Sequence, residues 1–416
     1  MKILHVTQNY FPSKGGTQET IKKVSEYLHE DYQDEVTVFT TNSYYGPNNR
    51  LFKKIDIEDE WINNIYIKRF EFLKAHKPFL KILSKLNRQI GGKDLAQSLV
   101  EWNAGPFSRT LQKAIQKSQA DVICASSVHY RFANYGINRK KLKNPKPFVL
   151  YGALHLENKR IPEIYFKRIK AADHYIANTI FEKSFLENHG IESGKITVAG
   201  AGIDFNKNLQ SEKNIASLKD KLDIPGYHKI ILCISRHEAF KGLSLLLNAF
   251  KKVINIDKNV HLIIAGADGN YTNALIQEKE KIKSLLVFKN ISSTFKNQLL
   301  SMADMIVLPS KEESFGTVFL EAWQFKKPVI GAGIGAISSI IDAYKNGLLF
   351  KPDDMIDLCE KIEYLLQHPN NARSMGNAGY LKLAEYYTWQ TITERFREAY
   401  IKAIEIFQSK NGKLCS

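Results

Sequence analysis

Residues 304–323 read DMIVLPSKEESFGTVFLEAW. A short apolar run is stopped by Pro309-Ser310, as a buried strand and its exit would be. Ser314-Phe315-Gly316 then opens a second apolar stretch long enough for a helix. Strand, short loop and helix make one repeat of an α/β fold, and open α/β sheets bind ligands beyond the carboxyl ends of their strands. Two glutamates frame this loop. Glu313 stands at the strand exit and Glu321 about a turn and a half into the helix. Amides at a helix start and the helix dipole suit an anion, and Gly316 lets a ligand approach the backbone closely. Helical side chains tilt toward the N-terminus, so Glu321 can reach the same place. Glu313 reads equally as a first-turn carboxylate complementing the dipole, and Glu321 as a solvated position. Yet Phe319, Leu320, Ala322 and Trp323 surround Glu321, and a carboxylate among apolar neighbours asks for a partner.

The same alternation runs outward in both directions. KIILCIS (229–235), VHLIIAG (260–266), SLLVFK (284–289), DMIVLPS (304–310) and KPVIGA (327–332) predict one strand series. KILHVTQ (2–8), EVTVFTT (35–41), NIYIKRF (64–70), DVICASS (121–127), PFVLYG (147–152) and DHYIAN (173–178) predict another, with helices over 17–29, 106–118 and 180–189. Near-continuous apolar strands between amphipathic helices imply mostly parallel sheets covered on both faces. The polar stretch 205–226 breaks the rhythm. The expected organisation is therefore an N-terminal Rossmann-like domain (1–204), a C-terminal one (205–388) and a terminal helix (389–416) able to pack back on the first. A chain of 416 residues suits two domains of roughly 200 residues each.

With 44% hydrophobic and 25% charged residues the chain reads as globular. No segment reaches the roughly 18 apolar residues of a membrane helix. MKILHVTQNYF reads as a buried strand, not a secretory leader. Four scattered cysteines read as reduced thiols, and the expected setting is cytoplasmic. The net charge of +16, from 59 basic and 43 acidic residues, favours polyanionic partners. One stretch concentrates it. KAHKPFLKILSKLNRQIGGK (74–93) has no acidic residue, with Phe79, Ile82, Leu83, Leu86 and Ile90 on one helical face and Lys81, Lys85 and Arg88 opposite. It fits an anionic membrane surface, which would make the protein peripheral on the inner face of the cell membrane; it fits an ordinary lysine-faced surface helix too. No nucleic-acid recognition motif accompanies the 11% aromatic content, so no nucleic-acid partner is expected.

Further candidates sit at other strand exits. Arg236 and Lys241 follow KIILCIS on a strand-to-helix loop, where a guanidinium fork and a compact ammonium suit a diphosphate, though two loop cations are more often merely solvated. Lys14-Gly15-Gly16-Thr17 follows the first strand and opens the first helix, which permits close approach to a phosphate but lacks the dinucleotide spacing. His129 and His155 follow two further strands. No His and carboxylate cluster has metal-ligand spacing.

In order along the chain, the Gly15-Gly16 loop, PFVLYGALH, VAGAGID (198–204), SRHEAFKG, IIAGADG (263–269), ADMIVLPSKEESFGTVFLEA and KNGLLF (345–350) resemble the retaining glycosyltransferases of the GT-B fold, family 4, with its E-x7-E signature. The resemblance implies two Rossmann-like domains facing a central cleft. It implies a metal-independent hexosyltransferase that uses a nucleotide-sugar donor, such as a UDP- or GDP-sugar, without another cofactor. The acceptor would be a glycan or lipid-linked molecule in polysaccharide or glycolipid synthesis. Arg236 and Lys241 would hold the diphosphate, and Glu313 the donor sugar with help from the Phe315 and Gly316 amides. Glu321 would hold the ribose, Gly15 and Gly16 would close on the phosphates, and His155 would contact the sugar near the reacting centre. Two departures bear on donor identity. Gly335-Ala336-Ile337-Ser338-Ser339 lacks the family's glutamate, and Lys289-Asn290 replaces its glycine. The other reading is a catalytically inactive relative that binds sugar nucleotides or glycans.

Overall fold

The structure is a computed structural model and describes residues 1–13, 15–45, 52–72, 108–152, 154, 156, 161–205 and 212–412. His155, Lys14 and the basic 74–93 stretch lie outside the described residues. The chain groups into two compact units, one from Met1–Leu154, Arg160–Ala201 and Ile392–Ser416, the other mainly from Gly202–Thr391.

In the first unit the strands are β1 (Lys2–Thr7), β2 (Glu35–Thr41), β3 (Ser43–Tyr45), β4 (Phe52–Lys54), β5 (Asp59–Ile62), β6 (Ile65–Phe70), β7 (Val122–Ser126), β8 (Phe148–Tyr151), β9 (His174–Ala177) and β10 (Ile196–Val198). Eight form one sheet in the order β10-β9-β8-β7-β1-β2-β6-β5, while β3 and β4 pair separately. All of its pairs are parallel except β5 with β6. Every residue of β7, β8 and β9 is buried, as expected of strands covered on both faces. The helix Trp389–Gly412 contributes Tyr400 and Phe396 to this core, where the Phe396 ring meets that of Tyr151 edge-on at 5.1 Å.

The second unit holds β11 (Lys229–Ile234), β12 (Val260–Gly266), β13 (Leu285–Lys289), β14 (Met305–Leu308), β15 (Val329–Ala332) and β16 (Leu348–Phe350). They form an all-parallel sheet in the order β13-β12-β11-β14-β15-β16. Its core includes Ile231, Leu262, Ile264, Val307 and Ile330 from the strands, with Leu246, Phe250 and Ile362 from the helices. The strand order reverses between β11 and β14, and a crevice opens at the carboxyl ends on either side of such a reversal. The corresponding reversal in the first unit lies between β1 and β7.

The predicted strands match the observed ones to within two residues at each end. Strands β5, β10 and β16 and the β3–β4 hairpin went unread. They are three or four residues long, too short for a period to register, and β5 begins with Asp59-Glu60.

Candidate active site

The reversal in the second unit brings two loops together. The first leaves β11 through Ser235 and Arg236, makes a short 3-10 turn over Ala239–Lys241, and enters the helix Leu243–Ile256 through Gly242. The second leaves β14 through Pro309 and Ser310 and enters the helix Thr317–Gln324 through Gly316. Gly242 adopts a left-handed φ of 72°, and a Cβ on it would stand 2.0 Å from the Pro309 carbonyl oxygen. Only glycine allows that approach. The Lys311 N–H donates to the Phe240 carbonyl at 3.0 Å and fastens the loops.

This contact carries the side chains of interest. The Lys241 ammonium is ion-paired to Glu313 Oε1, and the two side chains are only 12% and 13% exposed. The Ser310 hydroxyl donates to the same oxygen at 3.0 Å. An ammonium has three donors, so Lys241 can keep Glu313 and still offer two to a ligand. Arg236 is exposed, with no ion pair among the described residues. Its guanidinium lies 5.6 Å from the Phe240 ring centre, and Lys241 Nζ lies 5.2 Å from the same centre. One aromatic ring thus sets the positions of both cations by cation–π attraction.

Gly316 has φ 91° and caps the helix without a side-chain hydrogen bond. Phe315 is buried, its ring against Tyr387 at 5.7 Å, so what it can offer a ligand is backbone. Glu321 lies on the next turn and pairs with a residue the sequence did not single out. The Lys296 ammonium, from the helix Ser293–Met302, donates to Glu321 Oε1 at 2.7 Å. Glu321 Oε2 is buried and has no partner among the described residues. No sequence pattern joins two positions 25 residues apart, although a carboxylate between Leu320 and Ala322 demanded a cation from somewhere.

The β11 loop is braced from its other side. His237 is fully buried, its N–H bonded to the Ala267 carbonyl at 2.9 Å and its Nδ1 3.2 Å from the Thr272 hydroxyl. Burial lowers the His237 pKa, which favours the neutral ring. Asn290 adopts φ 54°, donates its N–H to the Gly266 carbonyl, and accepts from the Asp268 N–H at 3.1 Å. Asparagine is among the few residues besides glycine that tolerate left-handed backbone, so the missing glycine leaves the turn intact.

In the first unit, Gly15 and Gly16 open the helix Gly16–Tyr32 after β1, beside the other strand reversal. Gly15 is extended, at φ 165°, and a Cβ on it would stand 2.3 Å from Gln18 Oε1; a Cβ on Gly16 would meet nothing within 4 Å. The first turn of this helix has no side-chain cap, so its amides stay available. His129 Nδ1 bonds the Ser127 hydroxyl, and its ring meets Tyr165 edge-on at 5.0 Å.

Residues 214–382, which span the two loops and both glutamates, match the family model described as glycosyl transferases group 1. That match covers most of the second unit, which is similar to group 1 glycosyl transferases. D-inositol 3-phosphate glycosyltransferase 2 of Catenulispora acidiphila is 24% identical over 261 residues, 60% of each chain. N-acetyl-alpha-D-glucosaminyl L-malate synthase of Bacillus anthracis is 25% identical over 207 residues, 49% of this chain and 52% of its own. The aligned stretch therefore spans between half and two thirds of these relatives' length. Among solved structures, HepE of Anabaena in complex with UDP shares 17% identity with a TM-score of 0.71, covering 96% of this chain and 99% of its own. The fold is accordingly GT-B, two Rossmann-like units in one chain. Among the described residues, no three metal-ligating side chains gather, and no helix is long and apolar enough to cross a membrane.

Proposed function

We propose that the protein is a retaining glycosyltransferase that moves a sugar from a nucleotide-sugar donor to a glycan or lipid-linked acceptor, in cell-surface polysaccharide or glycolipid synthesis. The observation that carries the reading is the convergence of Arg236, Lys241, Glu313 and an uncapped helix start at the strand reversal of the second unit.

In this reading the second unit binds the donor and the first the acceptor. Arg236 and the two remaining Lys241 donors take the diphosphate, with the Phe315 and Gly316 amides beside them. Glu313, pinned by Lys241 and Ser310, accepts from the donor-sugar hydroxyls. Glu321 accepts from the ribose. As the bond from the anomeric carbon to the phosphate oxygen breaks, its electron pair goes to the diphosphate, where fixed cations are worth most. The acceptor hydroxyl attacks from the same face, and its proton passes to the departing phosphate oxygen. The configuration is thereby retained, with no metal and no separate base required. His155 keeps the sugar-contacting role that the resemblance implies. UDP- and GDP-sugars are the donors to try first; one structural relative was solved with UDP.

The test is incubation with a panel of UDP-, GDP- and ADP-sugars, assayed for nucleoside diphosphate release in the presence of glycan and lipid-linked acceptors. Release with one donor is expected. The Lys241→Ala variant should lose it by a hundredfold or more, the order seen when one transition-state charge donor is removed. Binding of a donor without turnover under any condition would favour the inactive relative instead. Attachment to anionic vesicles through 74–93 would have to disappear when Lys81, Lys85 and Arg88 are neutralised.

A further inference from the structure

Glu321 is held from one side only. Lys296 donates to Oε1 at 2.7 Å, while Oε2 is buried and receives no hydrogen bond from the described residues. A buried carboxylate oxygen without a donor is costly, and a carboxylate has about four acceptor positions. The vacant positions call for a ligand that supplies hydroxyl donors. Two adjacent hydroxyls on a five-membered ring match the spacing of two carboxylate oxygens. A ribose offers that pair and a 2′-deoxyribose does not.

We infer that Lys296 is the positioning residue that makes this site selective for a ribonucleotide, by fixing the rotation of Glu321 so that Oε2 faces the sugar diol. The inference rests on the donor reading given above and extends it to a residue which no motif marks. Lys296 lies on a different helix from Glu321, and its side chain is 28% exposed against 21% for the glutamate. Without the ammonium, the carboxylate can turn its unpaired oxygen toward water and loses the charge that balances it in a half-buried setting. Arginine in its place would keep both the charge and a donor.

Isothermal titration of the full chain with UDP, GDP and ADP, each beside its 2′-deoxy form, tests this directly. The unsubstituted protein should prefer the ribonucleotide of its base by about tenfold or more, as expected when a buried polar group loses its partner. In Lys296→Met that preference should fall to within about twofold, with the donor KM raised several-fold and kcat little changed. Lys296→Arg should restore the preference, and Glu321→Gln should abolish it. A ribose preference that survives Lys296→Met would overturn this inference and leave the donor reading standing. If the unsubstituted protein binds none of the six nucleotides, the donor reading falls and this inference with it.

Discussion

Glu182 is a carboxylate sealed inside the first unit. The Tyr175 hydroxyl donates to Oε1 at 2.6 Å, the Leu154 N–H donates to the same oxygen at 3.3 Å, and the Asn178 N–H donates to Oε2 at 2.8 Å. Burial outweighs these bonds and pushes the carboxyl up to about 7. In the unfolded chain it ionises near a pKa of about 4.3. The folded state therefore binds the proton more tightly between those values. Stability falls as pH rises from roughly 4.5 to 7 and is level above, by an amount on the order of 3 kcal/mol. Glu182→Gln cannot ionise. Its amide meets three donors and lowers stability at each pH, but the downward slope across that window should be missing. Urea unfolding at half-unit pH steps reads the slope directly; an unchanged slope in the variant would assign it to other groups.

At the scale of elements, the site depends on how closely two loops approach. Both Gly242→Ala and Gly316→Ala force a left-handed residue, but the first places a methyl 2.0 Å from the Pro309 backbone carbonyl, whereas the second meets the buried Phe319 ring at 2.9 Å. The Gly242 variant should thus lose about 2–3 kcal/mol and the Gly316 variant about 1–2 kcal/mol, measured by denaturant midpoints. Nucleotide affinity should drop more in the first, because Lys241 rides on the displaced loop. The opposite ranking would mean that the loop contact does not organise the site. The long strands and the strand-exit loops were legible in the sequence because apolar period and position beyond a strand's carboxyl end are local properties. The pairing of Lys241 with Glu313 and of Lys296 with Glu321 was not, since each joins segments that only the sheet order brings together. Asn290 shows the intermediate case: the loss of glycine was visible, while its harmlessness needed the left-handed φ and the bond to Asp268.

Over the whole molecule, the longest-range dependence runs from one end of the chain to the other. The helix Trp389–Gly412 begins where the second unit stops, and its residues from Ile392 onward group with the first unit. There Tyr400 is fully buried and its hydroxyl lies 2.8 Å from His5 Nε2, while His5 Nδ1 lies 2.7 Å from the Ser25 hydroxyl. Burial lowers His5 to about 3, so its ring is neutral, with one nitrogen donating and the other accepting. A side chain 395 positions away in sequence thus completes the hydrogen bonding of the central strand β1. Tyr400→Phe removes one oxygen and leaves a buried ring nitrogen unsatisfied, at a cost of about 1–3 kcal/mol. Because the first unit cannot close its core without this helix, the loss should concentrate there. Native-state hydrogen exchange should show faster exchange for the β1 and β7 amides and unchanged exchange for β11 and β14. An equal loss of protection in both sets of strands would mean that the chain unfolds as a single cooperative body, and that its two compact groupings are not separate units of stability.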